Sequence, residues 1–521
     1  MKKKLGYIGL LCLVMFGLSG LLFLVEVNAD GSSITSIQDA LWYMLVTLTT
    51  VGYGDMYPVT LWGKVIGIVF VLSSLGMMGF LLATIISVFN SDGIRLLYLK
   101  RHKDENWYVF SELNEKTAFL IRDIRSKGKG IFICLGDKND SFIEGVINVD
   151  YSFEKIIGLR NDMSGLHLFF MKDCGNDYEN YSEYHNVCNK YLGDNVLPFH
   201  SYCLTEYVPE VIPVNLVCFN KYENISRFYW NTYPIRTSLG YDEKIVIIGS
   251  GEYAGYVLEQ ALKRNIYKTK QSVEYHLFGN WDTFRAEHYG LGEYFSIDKK
   301  SENGDTIVFH EASWLENREI IENASRIIIC DQNEDNNLSI LSKMRRFYVT
   351  RNKDVQIHVL YSEKITDTGI DTFGSIEDIY SEEFVLKEKL SQMARSMHEI
   401  YRKGSEGAPD WNHLSAFKRQ SNLAVADHMA VKMDILGADS AKGAYEKYEL
   451  LPEEDKQKLW HLEHDRWMRF HVVNNWHYSS ARNDGVREHN LLLPFDDLSY
   501  EEQKKDAYSW ELLSKIENTD M

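Results

Sequence analysis

Two long apolar runs near the start of the chain are the strongest pattern in its 521 residues. The first, Leu5–Val25, follows three lysines, and the second, Val65–Phe89, contains no charged residue. A helix needs about twenty consecutive apolar residues to cross the hydrocarbon core of a bilayer. The pattern therefore predicts two membrane-spanning helices. A signal peptide with a cleavage site at Val27–Ala29 is the alternative for the first run.

Basic residues flank the outer ends of these two runs, with Lys2–Lys4 before the first and Arg95–Lys103 after the second. Short segments rich in lysine and arginine stay on the cytoplasmic side of a membrane. We therefore expect a multi-pass protein of the plasma (inner) membrane, surrounded by lipid. Both termini are expected in the cytoplasm, and residues 26–61 are expected outside.

The segment between the runs contains TTVGYGD at residues 49–55, after a helix-length stretch, Ser36–Thr49. This motif resembles the TVGYG filter of potassium channels. The resemblance implies that backbone carbonyls replace the hydration shell of a potassium ion. Glycines allow the alternating backbone torsions that this arrangement needs. Four copies are required to surround the ion, so we expect a homotetramer. The predicted filter residues are Thr50, Val51, Gly52, Tyr53, Gly54 and Asp55.

The stretch before the filter predicts a pore helix with its cap at Thr35 or Ser36. In potassium channels with this motif, an aromatic pair on the pore helix braces the filter tyrosine. Trp42 and Tyr43 stand at the matching positions, so we expect them to brace Tyr53.

Three glycines interrupt the second apolar run, namely Gly67, Gly76 and Gly79. Glycine lets an inner helix bend when a pore opens, and Gly76 and Gly79 are the predicted gating hinge. Close packing between helices explains small residues equally well. Many two-span potassium channels have a glycine where this chain has Ser74, so the position of the bend stays open.

The remainder of the chain has a soluble composition, and the whole sequence has a net charge of −18. This charge argues against nucleic acid as a partner, because such binding needs basic patches. The seven cysteines form no CxxC pair, so the sequence predicts neither a zinc ribbon nor a redox motif. We expect buried, reduced thiols.

A buried strand, Ile245–Ile248, leads into the sequence GSGEYA at residues 249–254 and then into a helical pattern. A glycine-rich turn between a strand and a helix places backbone amides where a phosphate can bind. The next strand lacks the terminal acid that binds the ribose of NAD, because Asp282 comes two residues late. NAD is therefore disfavoured. The predicted nucleotide-binding residues are Gly249, Ser250, Gly251 and Ala254.

Strands at 326–330 and 355–360 continue a strand–helix rhythm. Together, residues 243–363 resemble the RCK or TrkA-N domain found behind many potassium channels. An earlier stretch that starts at Trp107–Phe110 is similar but has no glycine-rich turn. The acidic segment after residue 330 could bind a divalent cation, but a solvated acidic loop is favoured. Its acids are Asp331, Glu334 and Asp335.

The last part of the chain, Trp411–Leu513, resembles the ryanodine-receptor repeat, or RyR domain, although Asn475 replaces a glycine of that pattern. The matching residues are Glu463, Arg466, Trp467, Trp476, Arg482, Asp484, His489, Leu492, Pro494 and Asp506. The predicted ligand pocket consists of Arg466, Trp467, Trp476, Arg482 and Asp484.

In this pocket we expect Trp467 and Trp476 to stack a base, and Arg466 and Arg482 to bind a phosphate. The alternative is that the tryptophans belong to the core and the charges are paired on the surface. His461 and His464 share the same helical segment, but a solvated face is favoured over a metal site.

These patterns predict four domains. Residues 1–95 form a two-helix pore domain with a selectivity filter, and residues 105–235 form a degenerate RCK/TrkA-N-like domain. Residues 241–385 form a second such domain, and residues 391–521 form an RyR-like ligand-sensing domain. The expected fold class is membrane α, with two transmembrane helices and a re-entrant pore loop. Cytosolic α/β Rossmann-like domains and a mainly α RyR domain follow.

The expected function is a potassium-selective channel gated by a cytosolic ligand, with a nucleotide favoured as that ligand. The filter would hold potassium ions, and we predict neither catalytic residues nor a metal site. The alternatives are a membrane-anchored NAD(P)-dependent enzyme and a non-conducting nucleotide sensor. The missing acid and the lack of an acid–base pair near the glycine turn argue against the enzyme. Ion homeostasis and defence by collapse of ion gradients both fit such a channel.

Overall fold

The computed structural model describes residues 2–89, 92–136, 143–173, 178–235, 243–301, 304–347, 355–365 and 370–516. Within helices, the side chains of residues 2–12, 77–78, 80–89 and 92 are not described. The chain forms two compact units, an N-terminal unit of residues 1–102 and a C-terminal unit of residues 103–521.

The N-terminal unit consists of α1 (Lys2–Glu26), α2 (Ile37–Leu48), α3 (Leu61–Phe89) and α4 (Asp92–Arg101). Helices α1 and α3 coincide with the two apolar runs, and α2 coincides with the predicted pore helix. The buried apolar side chains between them are Met15, Leu22, Ile34, Ala40, Met44 and Phe70. Over the side chains that are described, no helix has an apolar stretch long enough to cross a membrane. The membrane spans therefore stay a prediction.

Helix α2 starts at Ser36, one of the two predicted cap positions. Ser36 Oγ accepts a hydrogen bond from the backbone amide of Asp39 at 3.2 Å. In return, an Asp39 carboxylate oxygen accepts one from the backbone amide of Ser36 at 2.8 Å. This reciprocal capping box satisfies amides that the first turn of a helix leaves without partners.

A buried carboxylate, that of Glu26, joins the end of α1 to the start of α3. It accepts hydrogen bonds from the backbone amides of Val59 and Thr60 at 3.0 and 2.9 Å, and from the Thr60 hydroxyl at 2.6 Å. A Cβ atom at Gly63 would lie 2.0 Å from Glu26 Oε1, so this position needs glycine. The contacts fix the far end of the loop that follows α2.

The C-terminal unit begins with a parallel sheet of six strands in the order β3-β2-β1-β4-β5-β6. The strands are β1 (Trp107–Phe110), β2 (Ile131–Leu135), β3 (Val146–Val149), β4 (Leu166–Phe170), β5 (Val196–Leu204) and β6 (Val214–Phe219). Its helices are α5 (Glu115–Lys127), α6 (Phe153–Ile157), α7 (Tyr178–Cys188) and α8 (Lys221–Thr232). Strand β2 is buried at every position, as expected when both faces of a parallel sheet are covered.

A second parallel sheet has seven strands in the order β13-β12-β11-β7-β8-β10-β9. The strands are β7 (Lys244–Ile248), β8 (Glu274–Phe278), β9 (Ser296–Ile297), β10 (Thr306–His310), β11 (Arg326–Ile329), β12 (Gln356–Leu360) and β13 (Ile370–Phe373). Its helices are α9 (Glu252–Arg264), α10 (Asp282–Glu287), α11 (Arg318–Glu322), α12 (Glu334–Phe347), α13 (Ile376–Ile379) and α14 (Glu382–Val385).

The two sheets share one topology. When the short edge strand β9 is set aside, both follow the strand order 3-2-1-4-5-6 of doubly wound dinucleotide folds. They also share one apolar core, to which Phe110 of the first sheet, Ile247 of the second and Trp230 of α8 belong. The predicted α/β Rossmann-like architecture is therefore confirmed for both halves.

The remaining residues form a mainly helical part, here called the helical module (389–516). Its elements are α15 (Lys389–Gly404), α16 (Ala416–Ile435), α17 (Ala441–Glu449), α18 (Glu453–Val473), β14 (His477–Tyr478), β15 (Glu488–His489), α19 (Tyr500–Gln503) and α20 (Ala507–Glu511). Helix α16 begins at Ala416, after a short 3-10 turn at Trp411–His413. Ser415 sets this start, because its Oγ accepts a hydrogen bond from the Lys418 amide.

The cysteines agree with the prediction of reduced thiols. Among the described side chains, five cysteines form no disulfide bond. Four of them are buried and Cys218 is half-buried. Burial is the main cause that raises the pKa of Cys134 to about 12, so this thiol stays protonated and unreactive.

A buried carboxylate on α16, that of Asp427, joins the helical module to both sheets. It accepts two hydrogen bonds from Arg227 of α8, at 2.8 and 2.9 Å, and one from Gln260 of α9 at 2.7 Å. The backbone carbonyl of Asp427 accepts a further bond from Arg264 of α9 at 2.9 Å. One residue therefore contacts the last helix of the first half and the first helix of the second.

A second buried ion pair joins α18 to the second sheet. Arg469 Nη1 donates to Asp305 Oδ2 at 2.7 Å, and both side chains are almost fully buried. Asp305 also accepts from Gln271 at 2.9 Å and from the Val273 amide at 2.8 Å. The carboxylate is thus fully satisfied, as a buried charge requires.

We expect Asp427→Ala to destabilise the protein by about 3–5 kcal/mol, because it leaves the guanidinium of Arg227 buried without its carboxylate. Thermal unfolding of the purified full-length chain measures this. The matched control is Lys364→Ala, which removes an exposed ion pair with Glu377 and should change stability by at most about 1 kcal/mol. Equal, small shifts for the two variants would contradict the role given to Asp427.

Candidate functional site

The loop after α2 has its backbone in alternating conformations. Thr50, Gly52 and Gly54 have positive φ angles of 60°, 57° and 76°, and the residues between them do not. Left-handed torsions cost little for glycine, which explains two of the three positions. Thr50 is β-branched and rarely adopts this region, so it is a strained residue of the kind that clusters at functional sites. The sequence predicted the alternation at the glycines but not at Thr50.

Hydrogen bonds hold both ends of this loop. The backbone amides of Val51 and Gly52 donate to the carbonyl of Val46 at 3.0 and 3.2 Å, which ties the loop to the end of α2. On the other side, Trp42 Nε1 donates to Asp55 Oδ2 at 2.9 Å. The rings of Trp42 and Tyr53 are parallel, with their centroids 6.0 Å apart. Trp42 therefore braces the loop as the aromatic pair was predicted to do.

Tyr43, the other residue of the predicted aromatic pair, packs against α3 of the same chain. Its hydroxyl lies 2.7 Å from the point where a Cβ atom at Gly67 would stand, and its ring packs on Phe70 at 6.2 Å. Gly67 thus serves close packing between α2 and α3. Around Gly76 and Gly79, a Cβ atom would meet no other described atom within 4 Å. Packing against the described side chains does not explain those two glycines, and the hinge stays a prediction.

The glycine-rich turn at residues 249–254 lies where the sequence placed it, between β7 and α9. A Cβ atom at Gly249 would lie 2.6 Å from the backbone of Cys330, and one at Gly279 would lie 2.2 Å from the Gly249 carbonyl. Gly251 caps α9 with a φ of 81°, and the side chain of Gln332 packs against it. Ala254 is fully buried. Backbone crowding at Gly249 and Gly279, the positive φ of Gly251 and the burial of Ala254 therefore account for these small residues.

In sheets of this order, ligands bind in the crevice where the strand order reverses. In the second sheet this point lies between β7 and β11, and Ser250 Oγ bridges it by donating to Asp331 at 3.0 Å. In the first sheet, Ser111 and Asn114 bridge the same point through the backbone of Met171, both at 2.9 Å. The chain's own side chains thus cross both crevices.

The acidic loop after β11 is held by internal hydrogen bonds. The other carboxylate oxygen of Asp331 accepts from the Asn333 amide and from Asn336, both at 3.1 Å. Glu334 accepts from the Ser362 hydroxyl at 2.8 Å. Among the described residues, no group of three or more histidines, cysteines or acids could hold a metal ion.

A cavity of about 470 Å³ lies within the helical module, among α15, α16, α18 and the segment after residue 481. Its volume is typical of small-molecule sites, which span roughly 300–1,000 Å³. Three of the five predicted pocket residues, Arg466, Trp467 and Arg482, line it. Asp484 lies beside it, where its carboxylate pairs with Arg482 Nε at 2.6 Å and Nη2 at 3.1 Å.

The deep wall of the cavity carries a buried charge cluster. Glu463 accepts from Arg466 Nε and Nη2 at 3.0 and 2.9 Å and pairs with Lys432 at 2.9 Å. Burial alone would raise the pKa of Glu463, but the two cations outweigh it and hold the pKa at about 2. Burial lowers the pKa of Lys432 to about 8, although Glu463 counteracts this. Arg466 is 1 % exposed, and among the described residues its Nη1 has no hydrogen-bond partner.

The two predicted base-stacking tryptophans differ in their surroundings. Trp467 is half-buried and lines the cavity, with the His471 ring 4.0 Å away. Trp476 is buried and stacks on Phe417 at 4.9 Å, so it belongs to the wall behind the cavity. Phe417 and His471 also line the cavity, but they were not among the predicted pocket residues. Their role depends on the contact between α16 and α18, which no local motif reveals.

The histidines of α18 are less exposed than expected. His464 is 3 % exposed, so the favoured solvated face is wrong for it. Its Nδ1 pairs with Asp506 at 3.4 Å, and its other ring nitrogen contacts the Leu493 carbonyl at 2.8 Å. His461 is partly buried and stacks on Phe495.

Comparison with known proteins supports the assignment of the N-terminal unit. Residues 9–91 match the family model described as an ion channel. A voltage-gated potassium channel of Aeropyrum pernix is 46% identical over 68 residues, which cover 13% of this chain and 23% of that one. The Shal potassium channel of Drosophila melanogaster is 44% identical over 69 residues, 13% of this chain and 12% of that one. The chain therefore spans less than a quarter of the length of these curated relatives.

Solved structures give weaker similarities. A GsuK structure bound to ADP is 14% identical and covers 72% of this chain and 96% of its own, with a TM-score of 0.35. A GsuK channel bound to NAD is 12% identical and covers 83% of each chain, with a TM-score of 0.32. Because both scores are low, neither ligand is transferred to this chain.

The two tryptophans should differ when each is removed. We expect Trp476→Ala to destabilise the protein by about 3–5 kcal/mol, because it empties a buried site against Phe417. Trp467→Ala removes a ring that already faces a cavity, so we expect less than about 2 kcal/mol. Thermal unfolding of both full-length variants measures this difference. Similar losses would place Trp467 in the core and remove it as a ligand residue.

Proposed function

We propose that four copies of this chain form a potassium-selective channel in the plasma (inner) membrane, gated by a cytosolic ligand. The observation that carries this proposal is the alternation of positive φ at Thr50, Gly52 and Gly54 within a TVGYG sequence. A filter needs backbone carbonyls that replace the hydration shell of the ion, from four subunits around one axis. The similarity of residues 9–91 to ion channels supports the same conclusion.

The surface of the N-terminal unit supports a membrane environment and neighbouring subunits. Large apolar side chains on α1 and α3 are strongly exposed in one chain, and such a patch needs a covering partner. Leu61 is 76% exposed and Leu13 is 72% exposed. Lipid would cover the outer faces, and the other three subunits would cover the rest. Both termini would lie in the cytoplasm.

Gating requires that a ligand bind one shape of the C-terminal unit better than another. The cavity of the helical module is the better candidate site, because the chain's own side chains cross both sheet crevices. The turn at Gly249, Ser250, Gly251 and Ala254 remains a second candidate for a nucleotide. Bending of α3 at Gly76 or Gly79 would open the pore. The proposal includes no catalytic step and no resident metal.

We expect purified protein in liposomes to pass potassium and exclude sodium when the right ligand is present. The test measures flux of each ion with a panel of nucleotides and with calcium. Gly52→Ala should abolish selective flux, because alanine at this φ is strained by about 1–2 kcal/mol in a loop that must hold four-fold geometry.

The matched control is Gly31→Ala. Gly31 also has a positive φ, of 83°, and open space around it, but it lies in the turn after α1. This variant should carry the same backbone strain and still conduct. No flux under any condition from folded tetramers would favour the alternative of a non-conducting sensor. Equal passage of sodium would refute the filter.

A further inference from the structure

We infer that the cavity of the helical module binds a nucleoside phosphate, with its phosphate on the arginine side and its base against Trp467. This inference rests on the proposal that the C-terminal unit senses a ligand, and it names the chemical class and the residues. It depends on the charge of the lining, a buried donor without a partner, and an accessible aromatic ring.

The lining is electropositive in a protein that is strongly acidic. Four cations line the cavity, namely Lys418, Arg466, Arg482 and Lys505, against two carboxylates, those of Glu463 and Asp506. The whole chain has a net charge of −18, so this excess is local. A concave site with a local excess of positive charge attracts anions.

Within this lining, Nη1 of Arg466 is the atom that we expect to bind the anion. Two of its nitrogens are used by Glu463, while Nη1 has no hydrogen-bond partner among the described residues. A buried charged donor without a partner is costly, and such groups in native structures need an explanation. An anionic oxygen of a bound ligand provides one. A guanidinium already fixed by Glu463 is preorganised for that contact.

The neighbouring cations can also bind the phosphate at a small cost in free energy. Arg482 is about half exposed, and its only described partner is the exposed carboxylate of Asp484. Exposed pairs of this kind contribute at most about 1 kcal/mol, so a phosphate competes with Asp484 readily. Lys505 is held in the same way by Glu502 at 2.6 Å.

The ring of Trp467 favours a flat aromatic group on the ligand. It is half-buried and lines the cavity, and the rings of His464, His471 and His489 lie 5.5, 4.0 and 4.9 Å from it. Burial lowers the pKa of His471 to about 3 and also lowers that of His489, so both rings are neutral in the cell. The histidines therefore shape the ring site, and the arginines and lysines supply the charge. Stacking on tryptophan accepts any base.

A ligand here would act on the helices that join the module to both sheets. Helix α16 lines the cavity through Phe417 and Val425 and holds Asp427 at the buried junction. Helix α18 lines it through Trp467 and holds Arg469 against Asp305. A shift of either helix on binding would therefore reach the sheets directly.

The test is calorimetric titration of the full-length protein with AMP, GMP and ADP, and separately with adenosine and with inorganic phosphate. We expect at least one nucleotide to bind at least about tenfold more tightly than adenosine or phosphate. Trp467→Leu should weaken that binding by at least about tenfold, since it removes the ring on which the base stacks. Arg482→Ala should weaken it by a similar factor, since it removes a hydrogen bond to a charged group. Arg466→Lys keeps the pair with Glu463 but lacks Nη1, and should do the same.

The matched control is Arg487→Ala, another exposed arginine of the same segment, which donates to the Asn474 carbonyl outside the cavity. It should leave affinity within about twofold. Phosphate that binds as tightly as the nucleotides, adenosine that does so, or no binding by any probe would each overturn the inference. Potassium flux is measured apart from binding, so nucleotide binding without flux would refute only the channel.

Discussion

The buried carboxylate of Asp427 is the contact on which the arrangement of the C-terminal unit depends. Removing a charge from water is costly unless donors surround it, and here the two donors, Arg227 and Gln260, belong to different halves of the C-terminal unit. If the helical module slid along the sheets, at least two charges would lose their partners. Apolar contacts would tolerate such a slide, whereas this ion pair permits one register.

Helices α16 and α18 therefore have two functions. One face of each lines the cavity, and another carries a buried charged residue, Asp427 or Arg469, that pairs with a residue of the two α/β halves. Packed interiors transmit small displacements because they cannot deform continuously. In the proposed sensor, no flexible linker is needed between the cavity and the two α/β halves.

The two glycine-rich parts of the molecule use glycine for different reasons. In the loop after α2, Gly52 and Gly54 provide torsions that other residues resist, and Thr50 adopts such a torsion under strain. The Val46 carbonyl holds the start of that strained segment, and Trp42 and Glu26 hold the residues that follow it. In the turn after β7, Gly249 is small because the backbone of Cys330 passes within contact distance. A glycine motif alone therefore does not identify a phosphate site.

Local pattern was sufficient for the three helices around the filter loop and for several strands of both sheets. Apolar runs located α1 and α3, the capping residues located α2, and the apolar strands with their following turns located both parallel sheets. The motif around Arg466 and Trp467 was also sufficient to point to the region of the cavity. These features depend on residues close in sequence, where periodicity and side-chain chemistry are directly visible.

Tertiary structure alone decided which of those residues line the cavity. Trp467 and Trp476 both belong to the predicted pocket motif. In the structure, Trp467 lines the cavity, whereas Trp476 stacks on Phe417 behind it. Arg227 and Asp427 form an ion pair although they lie 200 positions apart in the sequence, and no local signal links them. Burial and charge pairing are properties of contacts between distant segments. The sequence by itself therefore determined these elements and the candidate chemistry. Packing between distant segments determined which side chains form the cavity.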